Sequence, residues 1–138
     1  MTDVLTSLPD RDPAIRVTAM PADANAYGDI FGGWLMSLMD SAAGLTAARR
    51  TRGRAVTVAM DGMQFHHPVS IGDELSVYAR IERVGRTSLT IAVESWRRHR
   101  HEDSAVKVTE ATFTFVAYDA DKRPRPIETI PTQEQARG

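Results

Sequence analysis

The chain has 138 residues, of which 42% are hydrophobic and 25% are charged, and this predicts a single globular domain with its own core. Its formal net charge of −1 argues against a nucleic-acid-binding surface, and no stretch approaches the roughly 20 apolar residues of a membrane span. The absence of cysteine excludes disulfides, zinc–thiolate sites and cysteine nucleophiles. The first residues are acidic and contain prolines, unlike a signal peptide, so we expect a soluble, cytoplasmic protein.

The first third of the chain predicts an arm, a strand and a long helix. Residues 1–13 are polar and broken by two prolines, so they are interpreted as a flexible N-terminal arm. Alternating side chains over 15–20 predict a short strand, and 21–33 has the composition of a loop. A helix is predicted from Gly33 to Arg50, with Gly53 as its stop. Its apolar stripe is expected to contain Leu35, Leu38, Met39, Ala42 and Leu45.

The rest of the chain predicts strands joined mostly by hairpins. Apolar and polar residues alternate over 55–65, 74–84, 87–96 and 106–118. The alternation changes phase at Asp61 and Gly62, which predicts a β-bulge there. The main domain therefore covers 14–118, and the proline-containing residues 119–138 are interpreted as an extended tail, either loose or draped over a surface.

These elements fit an α+β fold, with an antiparallel sheet of about five strands and one amphipathic helix on its face. A single helix cannot cover a wide sheet, and edge strands would stay open. A homodimer is therefore expected as the minimal unit.

Three segments resemble one family. The stretch "MPADANAYGDIFGGWLMSLMDSAAG" resembles the signature of the YciA-like hot-dog acyl-CoA thioesterases, a loop of the form N-x-x-G-D-x-F-G-G followed by M-S-x-M-D. The stretches "VTVAMDGMQFHHPVSIGDEL" and "ATFTFVAYDADKRPRPI" resemble the second block and the closing strand of that family, so the likeness spans about 15–127. His66 and His67 depart from it, because an apolar residue and an arginine are expected there.

The resemblance implies a hot-dog fold, in which a sheet wraps around a central helix. It also implies hydrolysis of acyl-CoA to a free carboxylic acid and coenzyme A, at a site shared across a dimer interface. Assembly as a trimer of dimers is suggested by the resemblance alone.

One acid stands out within the predicted helix. Asp40 is the only charged residue between 33 and 48, and apolar neighbours would disfavour its charged form, which suits a catalytic base. Gly32 and Gly33 lie at the helix start, where unpaired backbone N–H groups could hold an oxyanion. Asp40 could act as a general base or as a nucleophile, and the sequence leaves both open. The alternative for Asp40 is a structural role as a buried hydrogen-bonding group or an exposed residue at the flank of the helix. The alternative for Gly32 and Gly33 is a helix entry that needs close packing.

Two loop residues complete the candidate catalytic set. Asn25 is interpreted as an Asx-turn residue or as a contact to water or substrate. Asp29 is either an N-terminal cap of the helix or a direct participant in the site.

Coenzyme A would require further contacts, since no phosphate-binding glycine loop is present. The residues that could bind the phosphates are Arg83, Arg86, Arg123 and Arg125. Thr87 and Ser88 could pair with the pantetheine arm, and Met60 and Met63 could contact the acyl group. The arginines could equally be solvated charges, and the methionines plain core. The acyl-CoA substrate is the one partner expected beyond the homo-oligomer, with no nucleic acid and no membrane.

No metal or redox cofactor is expected, because coenzyme A is part of the substrate and product. His66 and His67 are adjacent in a predicted strand and would point to opposite faces, so a shared metal site is not expected. The stretch "RRHRHED" is interpreted as a solvated hairpin tip.

Two other functions stay open from the sequence. An enoyl-CoA hydratase-like enzyme usually needs a histidine beside the acid, and no histidine lies in or near the predicted helix. A non-catalytic acyl-CoA or fatty-acid sensor would keep the pocket but would not need Asp40.

Overall fold

A computed structural model of the protein describes residues 8–129, so part of the predicted arm and part of the predicted tail lie outside the described residues. The elements are β1 (Ile15–Thr18), a 3-10 turn (Pro21–Asp23), α1 (Gly32–Thr51), β2 (Ala55–Phe65), β3 (Glu74–Val84), β4 (Ser88–Arg98) and β5 (Val106–Ala117). Every neighbouring strand pair is antiparallel, in the order β1-β3-β4-β5-β2. The predicted fold class, a five-stranded antiparallel sheet with one central helix, is confirmed.

The core lies between α1 and the inner face of the sheet. Alternate residues of the central strands point toward the helix because side chains in a strand alternate between its two faces. The strands contribute Leu75, Val77, Leu89, Ile91, Val93, Phe113 and Phe115, and the helix contributes Leu35, Met39, Ala42, Ala43 and Ala47, all buried. Three of the five helix residues are alanines, so α1 approaches the sheet closely.

The predicted helical stripe is wrong at one position. Leu45 is 54% exposed, whereas Ala43 and Ala47 are buried in its place. The rotation of α1 about its axis is determined by these small alanines, because they let the helix pack closely on the sheet, which a row of leucines would prevent. Leu45 is left on the side of α1 that faces away from the core.

β2 is a long, exposed edge strand that pairs only with β5 among the described residues. Its pairing with β5 is irregular between Asp61 and Gln64, where Gly62 has a φ of +71°, so the predicted bulge is confirmed. A second irregularity, between Thr57 and Ala59, was not predicted. Val58 on this strand is 51% exposed, so the sheet presents an apolar edge to its surroundings.

The outer face of the sheet carries a second, smaller cluster. Tyr78 lies on this face because side chains alternate along β3, and it is only 1% exposed because it packs with Trp96 and Ala105. Leu8 packs against this cluster, and the Arg11 guanidinium lies 5.4 Å from the Tyr78 ring centroid. The described part of the N-terminal arm therefore covers aromatic side chains that would otherwise be exposed.

The helix extends one residue past its predicted end, to Thr51, and the residue that closes it lies one position before the predicted stop. Arg52, and not Gly53, adopts the left-handed conformation (φ 56°, ψ 40°) that closes α1. A Cβ on Gly53 would lie 2.6 Å from Nη2 of Arg125, so a larger residue there would displace that guanidinium. That guanidinium donates hydrogen bonds to the carbonyl oxygens of Thr51 and Tyr118, both at 3.0 Å, and so ties the start of the tail to the helix.

Residues 119–129 lie along the end of the sheet. The N–H of Ile127 donates to the carbonyl oxygen of Arg86 at 2.7 Å, and the Ile127 side chain is buried. α1, the one helix among these described elements, is not long and apolar enough to cross a membrane.

Arg52→Gly is expected to raise the free energy of unfolding by about 1 kcal/mol, because a left-handed backbone costs an L-residue roughly 1–2 kcal/mol that glycine avoids. Arg49→Gly, within the last turn of α1, should instead lower it by about 1 kcal/mol. Urea unfolding at a fixed protein concentration measures both. Equal effects of the two variants would contradict the left-handed assignment at Arg52.

Candidate active site

Asp40 lies on the exposed side of α1 and faces β2. Its Oδ1 accepts a hydrogen bond from the Thr57 hydroxyl at 2.5 Å, which holds the carboxylate against the edge strand. The expected apolar enclosure is absent among residues 8–129, where Asp40 is exposed. The carboxylate instead lies at the side of a groove of about 530 Å³, lined by Ser41, Gly44, Leu45, Ala48, Ala55, Val56, Thr57 and Phe115. Any enclosure must come from outside the described part of the chain.

Thr57 is a site residue that the sequence did not reveal. Threonine is common in strands, so its presence in β2 carries no signal by itself. Its role depends on the tertiary contact that brings β2 beside the middle of α1, seventeen residues away along the chain. With Oδ1 occupied by Thr57, the other carboxylate oxygen of Asp40 is left for chemistry.

The start of α1 presents unpaired amides. Phe31 is the N-cap residue, no side chain caps the helix, and neither Gly32 nor Gly33 donates its N–H to another described residue. A Cβ on Gly32 would lie 3.3 Å from the Phe65 ring, whereas one on Gly33 would meet nothing within 4 Å. The two glycines therefore allow a close approach to donors that sit at the positive end of the helix dipole.

A groove of about 340 Å³ runs past these amides. We call it the helix-start groove, and it is lined by Ile30, Gly32, Leu35, Phe65, His66, His67, Pro68 and Val69. Its far wall is the segment that connects β2 to β3, so the position of that segment sets the width of the groove.

The loop before the helix is organised by Asn25. Its Oδ1 accepts hydrogen bonds from the N–H groups of Tyr27, at 2.8 Å, and Asp29, at 3.1 Å, in the Asx-turn geometry that was one of its two interpretations. The interpretation of Asp29 as the helix cap is wrong. The cap position belongs to Phe31, no described side chain forms a cap hydrogen bond there, and Asp29 instead pairs with Ser70 in an isolated β-bridge.

The acid and the amides do not meet within one protomer. Asp40 follows Gly33 by seven residues, or about 10 Å along the helix axis, whereas both groups would need to lie about 3 Å from one reacting carbonyl. No residue lines both the helix-start groove and the groove beside Asp40.

The two candidate residues for binding the acyl group lie at the periphery of the main hydrophobic core. Met60 and Met63 are half-buried and pack against the main core. The Thr109 hydroxyl, which donates its hydrogen to the Gln64 carbonyl oxygen, also lies 3.2 Å from the Met63 sulfur. Both are therefore occupied in packing within the protomer.

The candidate residues for coenzyme A lie mostly at the end of the sheet beside the C-terminus of α1. Arg83, Arg86 and Arg123 are exposed and form no salt bridge with another residue of the described chain. Arg125 differs, because two of its N–H groups are committed to carbonyl oxygens. Thr87 and Ser88 lead into β4; the Thr87 carbonyl accepts from Ala117, and the Ser88 carbonyl accepts from Gly85.

The two adjacent histidines follow the end of β2 and do not lie in a strand, contrary to the prediction, but they do have separate partners. His66 Nε2 lies 3.5 Å from Glu110 Oε2, and His67 Nδ1 bonds the Lys107 carbonyl oxygen at 3.0 Å. Within residues 8–129 no group of three or more His, Asp or Glu side chains is placed to hold a metal ion. The hydrogen bond from Lys107 is the main cause that lowers the pKa of Glu110, and burial partly opposes it.

Comparison with known proteins places the chain in a family. Residues 27–104 match the thioesterase superfamily. The chain is 60% identical over 116 residues to an uncharacterized acyl-CoA thioester hydrolase of Zymomonas mobilis, an alignment that covers 84% of this chain and 78% of the relative. It is 44% identical over 126 residues to the acyl-CoA thioester hydrolase YciA of Salmonella typhimurium, an alignment that covers 89% of this chain and 95% of that relative. The chain belongs to the thioesterase superfamily, in its YciA-like group.

The fold of this YciA-like chain also has a solved counterpart. HI0827, a hexameric broad-specificity acyl-coenzyme A thioesterase, aligns with a TM-score of 0.84 at 40% identity, over 99% of this chain and 95% of that one. The resemblance to hot-dog thioesterases, drawn from the loop motif and the segments around β2 and β5, is therefore confirmed.

Glu110→Gln is expected to destabilise this YciA-like protein slightly at neutral pH, with a difference that shrinks as the pH falls below 4.5. The pKa of Glu110 is lowered in the folded state, so its contribution to stability is present above the unfolded pKa and is lost as the pH falls through the folded pKa. Urea unfolding of both proteins between pH 3.5 and 7 measures it. In a Lys107→Met background, the difference in unfolding free energy that Glu110→Gln causes should be smaller at neutral pH. An unchanged difference would show that Lys107 is not the main cause of the lowered Glu110 pKa.

Proposed function

We propose that this protein hydrolyses acyl-CoA thioesters to a free carboxylic acid and coenzyme A. The observation that carries the proposal is a carboxylate held by Thr57 beside an apolar groove, on the same helix whose first amides are unpaired. The names of the relatives, which are acyl-CoA thioester hydrolases, support the same reaction. Hydrolysis changes no oxidation state, so the proposed reaction requires no redox cofactor, and its steps are assigned to side chains and amides of this chain without a metal. Acyl-CoA substrates agree with a cytoplasmic location.

We infer that the working unit is a dimer in which Asp40 of one protomer faces the helix start of its partner. Two observations support this inference: the separation of about 10 Å along α1 and the exposed apolar edge of β2. Pairing of two such edges would bury the groove beside Asp40 and supply the apolar enclosure that one chain lacks. HI0827 is described as hexameric, which supports a trimer of such dimers.

The proposed reaction assigns one role to each group. The N–H groups of Gly32 and Gly33 donate to the thioester carbonyl oxygen and stabilise the negative charge that develops on it. As a general base, Asp40 takes a proton from water, whose oxygen attacks the carbonyl carbon. The intermediate then collapses, the C–S bond breaks, and the proton on Asp40 passes to the coenzyme A thiolate. Attack by Asp40 itself, through an anhydride that water later cleaves, remains the alternative.

Substrate binding is assigned to the exposed cations at the end of the sheet. Arg83, Arg86 and Arg123 form no salt bridge with residues 8–129, and their guanidinium groups suit the phosphates of coenzyme A. Arg125 is given a structural role in this proposal, because its guanidinium already bonds two carbonyl oxygens.

Asp40→Asn is expected to reduce kcat by about 100-fold or more, because a general base contributes roughly 10²–10⁴-fold to the rate. The measurement is release of free coenzyme A from a panel of short, long and aryl acyl-CoAs. The folded state and the assembly of the variant are checked by circular dichroism and light scattering. Equal, slow release by wild type and variant would reject the hydrolase and favour a non-catalytic acyl-CoA sensor.

Mixing two inactive variants tests the shared site. Asp40→Asn and Asn25→Ala chains, refolded together in equal amounts, should recover about a quarter of wild-type activity, because half of the dimers are mixed and each contains one intact site. Each variant refolded alone should stay inactive. A mixture with no recovered activity would place all catalytic groups in one protomer.

A further inference from the structure

A chain of hydrogen bonds connects the β4–β5 hairpin tip to the helix-start groove. His99 follows β4, and its Nδ1 lies 2.7 Å from Oδ1 of Asp73, whose side chain is almost fully buried. Nε2 of the same ring lies 2.9 Å from Nη1 of Arg97. These contacts involve none of the groups that the proposed reaction uses.

The two partners fix the form of the imidazole. A carboxylate can only accept, so Nδ1 must carry a hydrogen, and a guanidinium can only donate, so Nε2 must be the acceptor. A single form, the neutral Nδ1–H tautomer, satisfies both contacts. Protonation of Nε2 would place two donors face to face and break the bond between His99 and Arg97.

Arg97 carries the connection to the groove. Its Nε donates to the carbonyl oxygen of Pro68 at 2.8 Å, and Pro68 is part of the far wall of the helix-start groove. One guanidinium therefore bridges the imidazole and the wall. Because the fork of donors in arginine is rigid and planar, holding one of its nitrogens orients the others.

The wall in turn holds the loop that leads into α1. The Val69 carbonyl oxygen accepts from Ile30 N–H at 3.0 Å, and Ser70 pairs with Asp29 in a β-bridge. Ser70 N–H also donates to Oδ2 of Asp73 at 2.9 Å, so Asp73 holds this segment directly as well as through His99. Ile30 is buried, and Gly32 follows two residues later.

We propose that neutral His99 is a positioning residue: it aims Arg97 at the Pro68 carbonyl and so fixes segment 68–70 against the loop that presents the Gly32 and Gly33 amides. Its effect on catalysis rests on the proposed function, whereas the mechanical connection does not. The bond to Asp73 is protected from competing water by the burial of that carboxylate, which distinguishes it from an ordinary surface contact.

The experiment compares His99→Phe, which keeps the ring and removes both nitrogens, with His99→Gln, whose amide can donate to Asp73 and accept from Arg97. His101→Phe is the matched control, because His101 is exposed at the same tip and has no hydrogen bond to a described residue. Amide hydrogen exchange is measured on peptides that cover 25–35 and 66–74, together with kcat and KM for acyl-CoA.

His99→Phe should speed exchange in both peptides about tenfold and lower kcat about three- to tenfold with KM almost unchanged, because the Gly32 and Gly33 amides act on charge that develops in the transition state. His99→Gln should have exchange rates and a kcat close to those of the wild type, and His101→Phe should change neither quantity. ¹⁵N solid-state spectra of histidine-labelled protein at pH 7.5 should show an Nδ1–H signal for His99 that is lost in His99→Gln, while the Nδ1–H signal of His67, which faces the Lys107 carbonyl oxygen, is kept.

Unchanged exchange in His99→Phe, or a doubly protonated His99 signal in the wild type, would overturn the proposal. Faster exchange with an unchanged kcat would overturn the catalytic part of it. If the wild type hydrolyses no acyl-CoA, the proposed function fails by itself, and the exchange rates still decide whether His99 positions the loop.

Discussion

The close packing of α1 on the inner face of the sheet determines where the candidate catalytic groups lie. Ala42, Ala43 and Ala47 let the helix axis approach strands that carry large side chains such as Phe113. This contact fixes the rotation of α1, and the rotation sends Asp40 toward β2 and Thr57. The same packing seats Gly32 under the Phe65 ring. A helix rotated by a fraction of a turn would bury the acid in the core or point it away from the edge strand.

A second constraint follows from the rise of the helix. Since Asp40 and Gly33 lie on one rigid rod, their separation of about 10 Å cannot close by local motion. A chemistry that needs both groups at one carbonyl therefore needs two copies of the rod. Among the described residues one edge of β2 has no partner strand, and Val56 and Val58 on that strand are exposed. Both features are unfavourable in an isolated chain, and the proposed dimer would remove both.

Arginines stabilise the helix and its surroundings at both ends. Near the C-terminus, Arg125 bonds the carbonyl oxygens of Thr51 and Tyr118. Near the N-terminus, Arg97 bonds the Pro68 carbonyl and His99. In each case the planar fork of one side chain joins two segments that are far apart in sequence. Arginine-rich stretches in this chain therefore serve internal structure as well as a surface charge.

Much of the fold could be predicted from the residues themselves, because backbone periodicity is a local property. Strict alternation gave β3, β4 and β5, and the phase change at Gly62 gave the bulge, since both depend on neighbours in the chain. The motif from Asn25 to Asp40 indicated the family, and the one charged residue of the predicted helix indicated the candidate acid. The same reasoning misplaced Leu45, the end of the helix and the cap, because similar apolar residues and adjacent turn residues differ only in what they touch.

The tertiary structure alone decided which distant groups meet. Thr57 beside Asp40, Arg97 beside Pro68 and His99 beside Asp73 are contacts between separate strands and loops. No local pattern marks Thr57, Arg97 or Asp73 as the partner of a particular distant residue. The sequence by itself determined the elements, their order and the family, because these follow from short-range periodicity and a contiguous motif. It also determined the separation of about 10 Å between Asp40 and Gly33, because seven residues of helix have a fixed rise. The exposure of Asp40 came only from the structure, because it depends on how the helix lies on the sheet.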